Sequence, residues 1–435
     1  MNLEGSMDNF LDFLNERFGL ADLVEEGIKF ESEDGKLYLL YNGQMIPVHL
    51  SEEDDVFLTV NNKLKKDKTA IYNGYFSSEK NRLMEFKILK LKSAKHRDSP
   101  FITKHKYALN GDGFKIEISK MSVEMVISFF NSQEYVGYVK NRIIQRVERY
   151  LERVKDYESR GKKATYITAL NFSDLFIKRL PTAKVFTEDK WPNLTKQLEI
   201  NLRNLEKAFY ILENNEEDCF NYYLKSWDFS SPVRFLKDED IEISFKIPSV
   251  SYDEILLKFY KNAMVAETVN HSFLSFYHVL EYYFLKCTEK NLHQQLKFFI
   301  DDPKFNSQQN NLEQLISTIK RYNYENDENK MLLCVLREYI QPEALLNYVH
   351  SLDIRRGEGV DIFGENIEKK GLDENNVIDI IGRTIKAIRN GIVHSSDKYN
   401  RAERFIPFSE SETTVKKYLP VVKFIAEKII ATTSH

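Results

Sequence analysis

Apolar and polar positions alternate with different periods along the chain, and the period assigns the elements. Phe10, Leu11, Phe13, Leu14 and Phe18 recur at helical spacing, which predicts a short amphipathic helix over residues 8–24 that ends near Gly19. From about residue 27 to 120 the period drops to two. Ile28 and Phe30 alternate with polar neighbours, and strand-like runs follow at 36–41, Val56–Val60, Ala70–Phe76, Leu83–Leu91 and Phe114–Ile118. Asp34-Gly35, Asn42-Gly43, Asn73-Gly74 and the Gly111-Asp112-Gly113 triplet supply turns. Closely spaced strands of this kind predict an antiparallel sandwich or barrel-like domain.

Residues 122–160 return to helical spacing, with Ile143, Val147, Tyr150, Leu151 and Val154 on one face. A mixed stretch to residue 250 carries strand-like runs at Tyr166–Phe172 and Ile241–Ile247 and a helix at Leu194–Leu212, with Pro232 and Pro248 marking a passage between domains. Beyond residue 251 the pattern is helical, over 251–287 with a break near Asn270, then 291–300, 310–322, 329–350, 373–395 and 411–431. The glycine-rich segment Arg355–Gly371 reads as a loop. Asp373 is the expected N-cap of the helix after it, and Ser409 with Glu412 forms a capping box for the last helix.

The expected fold class is therefore α+β and multidomain: a helix at 1–24, a β-rich, sensor-like domain at 25–121, a mixed connecting region at 122–250, and an all-α bundle at 251–435. Residues 1–6 (MNLEGS) read as a cloning remnant ahead of Met7 and are set aside.

Composition narrows the function classes. The net charge is -4, so a global basic footprint for nucleic acid is missing and RNA contact has to come from local patches. One such patch is written into the helix at 139–154. Arg142, Arg146, Arg149 and Arg153 share a face, a stripe that can track phosphates; the alternative is a solvated face interleaved with Glu148 and Glu152. The 3 cysteines, Cys219, Cys287 and Cys334, show no zinc-knuckle or CxxC spacing and read as separate buried small hydrophobes in a reducing cytoplasm. No apolar run approaches membrane-spanning length, so no membrane partner is expected. Zinc-protease, phosphate-loop and nucleophile-elbow patterns are absent.

The segment that carries chemistry is Ile385-Lys-Ala-Ile-Arg-Asn-Gly-Ile-Val-His394. Arg389 and His394 form the chain's only R-x4-H, with Asn390 directly after the arginine. The spacing alone is a weak signal. Its neighbourhood is more specific. The strings IRNGIVHSSD, RFIPFSE and KKYLPVVKFIAEKII, with the upstream helix SFLSFYHVLEYYF at 272–284, resemble the Apea-like branch of the HEPN superfamily over roughly 251–435. Residues 1–250 carry no such resemblance. It implies a HEPN-like helical bundle that pairs as a homodimer, with R-x4–6-H segments facing across a cleft. It also implies a metal-independent endoribonuclease without a cofactor, acting on RNA (tRNA or mRNA) in antiphage defence or toxin–antitoxin systems. An antitoxin or a phage-derived trigger is then an expected partner, and residues 1–250 are expected to restrain or trigger the nuclease. A non-catalytic dimerisation, RNA-binding or ligand-sensing adaptor is the alternative.

The residue types suit that chemistry. Histidine exchanges protons near neutral pH. Arginine stays charged and clamps a phosphate in two places. The Asn390 amide can donate to a phosphate oxygen or hold the imidazole tautomer. At 100° per residue, Asn390, His394, Arg383 and Lys386 share a face, and Ile381, Ile385, Ile388 and Ile392 the opposite one. Arg389 falls about 140° from His394, at the apolar border. Two alternatives follow: the helix distorts near Gly391, or the Arg389 of one subunit serves a site shared with the other. Glu281, in the aromatic helix, is a supporting carboxylate for Arg389 or His394, or one polar position on an amphipathic face.

Overall fold

The computed structural model describes residues 28–33, 36–49, 69–72, 74–93, 102–103, 106–129, 132–161, 170–171, 175, 181–222, 224, 234–235, 242–303, 305, 309–324, 327–352, 361–363, 365–366, 371–394 and 404–434. The chain divides into two compact units, Met1–Ser249 and Val250–His435, the first rich in strands and the second in helices. The expected helix at 8–24 and the strand at Val56–Val60 lie outside the described residues.

In the first unit, β1 (Ile28–Glu33), β2 (Lys36–Tyr41) and β3 (Gln44–His49) form an antiparallel meander. Asn42 and Gly43 both take positive φ, as a tight two-residue turn requires. The run Ala70–Phe76 is a hairpin, β4 (Thr69–Tyr72) and β5 (Tyr75–Ser78), turning at Gly74 with φ 88°. The long strand β6 (Leu83–Ser93) pairs with β5 through Leu83–Phe86 and with β12 (Asp218–Tyr222) through Ile88–Ser93.

With β8 (Lys106–Asn110), β9 (Phe114–Lys120), β11 (Pro181–Thr187) and β14 (Glu242–Lys246), these strands build one sheet in the order β14-β8-β9-β11-β6-β5-β4. Strands from both sides of residue 121 share it, so the expected division between 25–121 and 122–250 does not separate them. Nor is the pairing purely antiparallel. β14 runs parallel to β8, β10 (Leu170–Asn171) joins β3 in parallel, and β13 (Arg234–Phe235) pairs in parallel with β7 (Ile102–Thr103).

Side-chain alternation gives this sheet a core on each face. Met84, Phe86, Ile88, Ala183 and Val185 pack with Leu205, Phe209 and Leu212 of a helix at Leu194–Asn215. On the other face, Phe76 and Leu83 join Leu37, Leu39 and Ile46 of the meander. That core is completed by α1 (Val123–Phe129) and α2 (Gln133–Ser159), so the helical stretch expected at 122–160 is two helices. The helix at Leu194–Asn215 is α3. Polar side chains are buried among the strands as well. Glu85 accepts hydrogen bonds from the Ser122 backbone N–H at 2.9 Å and from the Thr182 hydroxyl at 2.6 Å. Asp218 pairs with Lys90 at 3.3 Å and accepts from the Tyr107 hydroxyl, with both ion-pair side chains 2% exposed.

The second unit is a set of packed helices: α4 (Glu254–Val265), α5 (Val269–Glu281), α6 (Phe284–Ile300), α7 (Gln309–Tyr324), α8 (Glu328–Tyr339), α9 (Pro342–Ser351), α10 (Val377–Val393) and α11 (Glu410–Thr432). The expected helix over 251–287 breaks at Ala266–Thr268 and again at Tyr282–Tyr283. The one expected over 329–350 breaks before Pro342, because proline suits a first helical turn and not an interior. Asp373 is not the N-cap of α10. It accepts from the backbone N–H groups of Asn375 and Asn376, forming the turn that precedes the helix, and Asn376 takes the cap position. Ser409 does cap α11, but Glu412 reaches the Phe408 N–H and not the cap residue's own. The segment expected to be a loop at 355–371 contains a hairpin, β15 (Asp361–Ile362) with β16 (Glu365–Asn366). Among the described residues no helix is long and apolar enough to cross a membrane.

Candidate functional site

α10 buries Ile381, Ile385 and Ile388, with Ala387 and Thr384 between them, so its register is set by the apolar stripe. That register leaves Arg389 and Asn390 half-buried in the last turn. His394, at the C-cap, is exposed, and its backbone N–H donates to the Asn390 carbonyl at 2.8 Å. The helix does not distort near Gly391. α10 continues unbroken through Gly391 to Val393. Gly391 matters in another way. A Cβ there would lie 2.4 Å from the Phe363 ring, so glycine lets the β15–β16 turn close on the helix.

Arg389 is held by groups from α5 and α8. Its Nη2 lies 3.4 Å from Glu281 Oε1, and its Nε lies 3.4 Å from Glu328 Oε1. Nη1 donates to Asn390 Oδ1 at 3.2 Å, and the guanidinium sits 5.8 Å from the centre of the Tyr277 ring, within cation–π reach. Tyr277, fully buried, donates its hydroxyl to Glu328 Oε1 at 3.0 Å. Burial pushes the Tyr277 phenol well above its ordinary value, and the charge of Glu328 adds to that. Glu281 also contacts His278 Nδ1 at 2.8 Å, and the His278 ring packs 5.5 Å from that of Phe259. Burial alone would raise the Glu281 carboxyl; the hydrogen bond and charge of His278, with Arg389, outweigh it and hold the group below its ordinary value.

Glu281 therefore supports Arg389 and His278. His394 is not among the partners of Arg389. Asn390 turns its amide oxygen to Arg389, which points the NH2 end the other way. Lys386 is tied to Asp327, the N-cap of α8, at 3.2 Å; Arg383 is exposed and bonds the Asp379 carbonyl in the preceding turn. Glu328 and Phe363 escape a reading of the sequence. The N-cap pattern at Asp327 is visible, but no spacing ties Glu328 to Arg389.

In the first unit, the arginine stripe lies on α2. Arg142 and Arg146 are half-buried, with Arg142 donating to the Tyr138 hydroxyl at 2.9 Å, whereas Arg149 and Arg153 are exposed. The stripe thus straddles the border of the buried Val139, Ile143 and Val147 face and is not one open surface. The cysteines also depart from expectation. Cys219 and Cys287 are buried, but Cys287 and Cys334 are not separate: Cys334 Sγ accepts from the Asn291 amide at 3.1 Å, one turn along α6 from Cys287.

No family model, no curated protein and no solved structure matches the chain.

Proposed function

We propose that the helical unit is a metal-independent endoribonuclease of the HEPN type, acting as a homodimer in antiphage defence or as a toxin. The observation that carries this reading is the anchoring of Arg389, in the last turn of α10, to Glu281 on the aromatic helix α5. Both elements belong to the stretches that resemble the HEPN branch, and a salt bridge connects them.

RNA brings its own nucleophile. In this reading His394 takes the proton from a 2′-hydroxyl, whose oxygen bonds to phosphorus as the bond to the 5′-oxygen breaks. Arg389 and the Asn390 amide stabilise the charge on the phosphorane oxygens. A proton delivered to the departing oxygen completes the step, and the products are a 2′,3′-cyclic phosphate and a 5′-hydroxyl. Because α10 is continuous, Arg389 and His394 diverge around it. A site shared between two copies lets the Arg389 of one serve the His394 of the other.

A second reading has an observation of its own. Two carboxylates already take up the charge of Arg389, as they would in a structural ion-pair cluster of a non-catalytic adaptor. Incubation of total tRNA and mRNA with the wild-type and His394→Ala proteins separates the two. The nuclease reading expects 5′-hydroxyl ends from the wild type and at least a hundredfold loss in the variant. Equal cleavage by both, or by neither, sinks it.

A further inference from the structure

The helices α6 and α8 bring two cysteines together that are far apart in sequence. Asn291, one turn after Cys287 on α6, donates its amide N–H to Cys334 Sγ at 3.1 Å, so the Cys334 sulfur lies against the face of α6 that carries Cys287. Cys287 and Asn291 are four residues apart and so share that face of α6. The pair is bracketed by two more contacts, the Lys290–Glu338 ion pair between the same helices and, at the N-cap of α6, the Tyr283 ring 5.2 Å from that of Tyr339. Cys287 is buried, while Cys334 is part-exposed.

We propose that Cys287 and Cys334 are an oxidation site, an attacking and a resolving thiol that close to a disulfide when a hydroperoxide reaches Cys334. Position assigns the roles. The attacking thiol must meet the oxidant, and only Cys334 is part-exposed; the resolving thiol must wait beside it, and Cys287 does. The acidities agree with that order. Interaction with Cys287 lowers the Cys334 thiol, overriding its burial, and the same interaction, with burial, raises Cys287. A thiolate is the nucleophile in such attacks. The Cys334 thiolate takes an oxygen from the hydroperoxide, whose O–O bond breaks, to give a sulfenic acid and water or an alcohol. The Cys287 sulfur then bonds to the Cys334 sulfur, the S–O bond breaks, and the oxygen leaves as water with the Cys287 proton. Two thiols are oxidised and one peroxide is reduced. The new bond would tie α6 to α8, whose first turn carries Glu328.

The test is chemical and does not depend on whether the protein cuts RNA. The full chain is treated with a small excess of hydrogen peroxide, remaining thiols are blocked with N-ethylmaleimide in denaturant, and tryptic peptides are mapped without reduction. The expected product joins the peptide CTEK, from Cys287 to Lys290, to MLLCVLR, from Met331 to Arg337, with loss of two hydrogens and recovery on reduction. Buried Cys219 should stay blocked by maleimide. In Cys287→Ser, dimedone should tag Cys334; in Cys334→Ser, Cys287 should remain a thiol. Should Cys287→Ser fail to fold, Cys334→Ser decides alone, because a sulfenic acid at Cys287 there overturns the roles. Recovery of both cysteines as maleimide adducts from the wild type, or cross-links to Cys219 or between chains only, overturns the site.

Discussion

Neutralising Glu281 should loosen Arg389 by an amount the geometry bounds. The contact is 3.4 Å between a guanidinium 21% exposed and a carboxylate 27% exposed. At an effective dielectric of about 20, unit charges at that distance attract by roughly 5 kcal/mol. Desolvation of both groups and residual screening remove most of it, and pairs of this exposure retain about 1–2 kcal/mol. Glu281→Gln keeps the shape of the side chain and removes the charge, and Arg389→Met keeps the length of its stem. A double-mutant cycle with these two changes should give a coupling energy of about 1–2 kcal/mol, smaller in high salt. Urea unfolding followed by far-UV circular dichroism reads the helical unit. The chain's two tryptophans, Trp191 and Trp227, both lie in the first unit, so tryptophan fluorescence serves as the control that should not move. Additive effects, within about 0.3 kcal/mol, would refute the view that Glu281 holds Arg389.

The same pair has a pH signature. The folded Glu281 carboxyl lies below its ordinary 4.5, so its contribution is complete above that value and is lost as pH falls through the folded pKa. The stability gap between wild type and Glu281→Gln, measured by urea midpoints, should therefore be full at about pH 7 and shrink steadily as pH falls below 4.5. Gly391→Ala should destabilise the helical unit by about 1–2 kcal/mol, since overpacking against the Phe363 ring outweighs the gain in helix propensity. In a Phe363→Ala background the same substitution should become neutral or stabilising by circular dichroism. Asp218→Ala takes away the carboxylate that faces buried Lys90 and the Tyr107 hydroxyl, at a cost of about 3–5 kcal/mol, read by tryptophan fluorescence unfolding of the first unit.

How much of this was written in the sequence varies with the kind of signal. Turn chemistry was legible, since Asn42-Gly43 and Gly74 adopt the positive φ that glycine and asparagine favour. The helical periods were legible too: Ile381, Ile385 and Ile388 are buried where the 100° rotation places them. Strands that complete the large sheet were not. Tyr107–Leu109, Pro181–Val185 and Cys219–Phe220 are buried runs with no clean alternation, and their identity as strands depends on partners far along the chain. Within the candidate site, the half-buried position of Arg389 follows from helix geometry. Its link to Glu281 could be proposed from an isolated carboxylate in an aromatic helix. Glu328 could not, and neither could the pairing of Cys287 with Cys334, because both arise only when α8 packs against its neighbours.

The environment of Arg389 bears on how a nuclease of this design can work. A guanidinium shared by two carboxylates is placed with little freedom, which lowers the entropy lost when it meets a phosphate. The same carboxylates cancel its charge, which weakens its pull on an anion. These effects oppose each other unless something else restores positive potential at the scissile bond. Lys386 contributes little, since Asp327 faces it, and Arg383 is exposed one turn further from the C-terminal end of α10. In the proposed homodimer a second copy of α10 would supply what the first lacks: another Arg389, Asn390 and His394 set. Under that proposal the carboxylates fix where each arginine points, and pairing of two chains would create the charge density that the phosphorane needs.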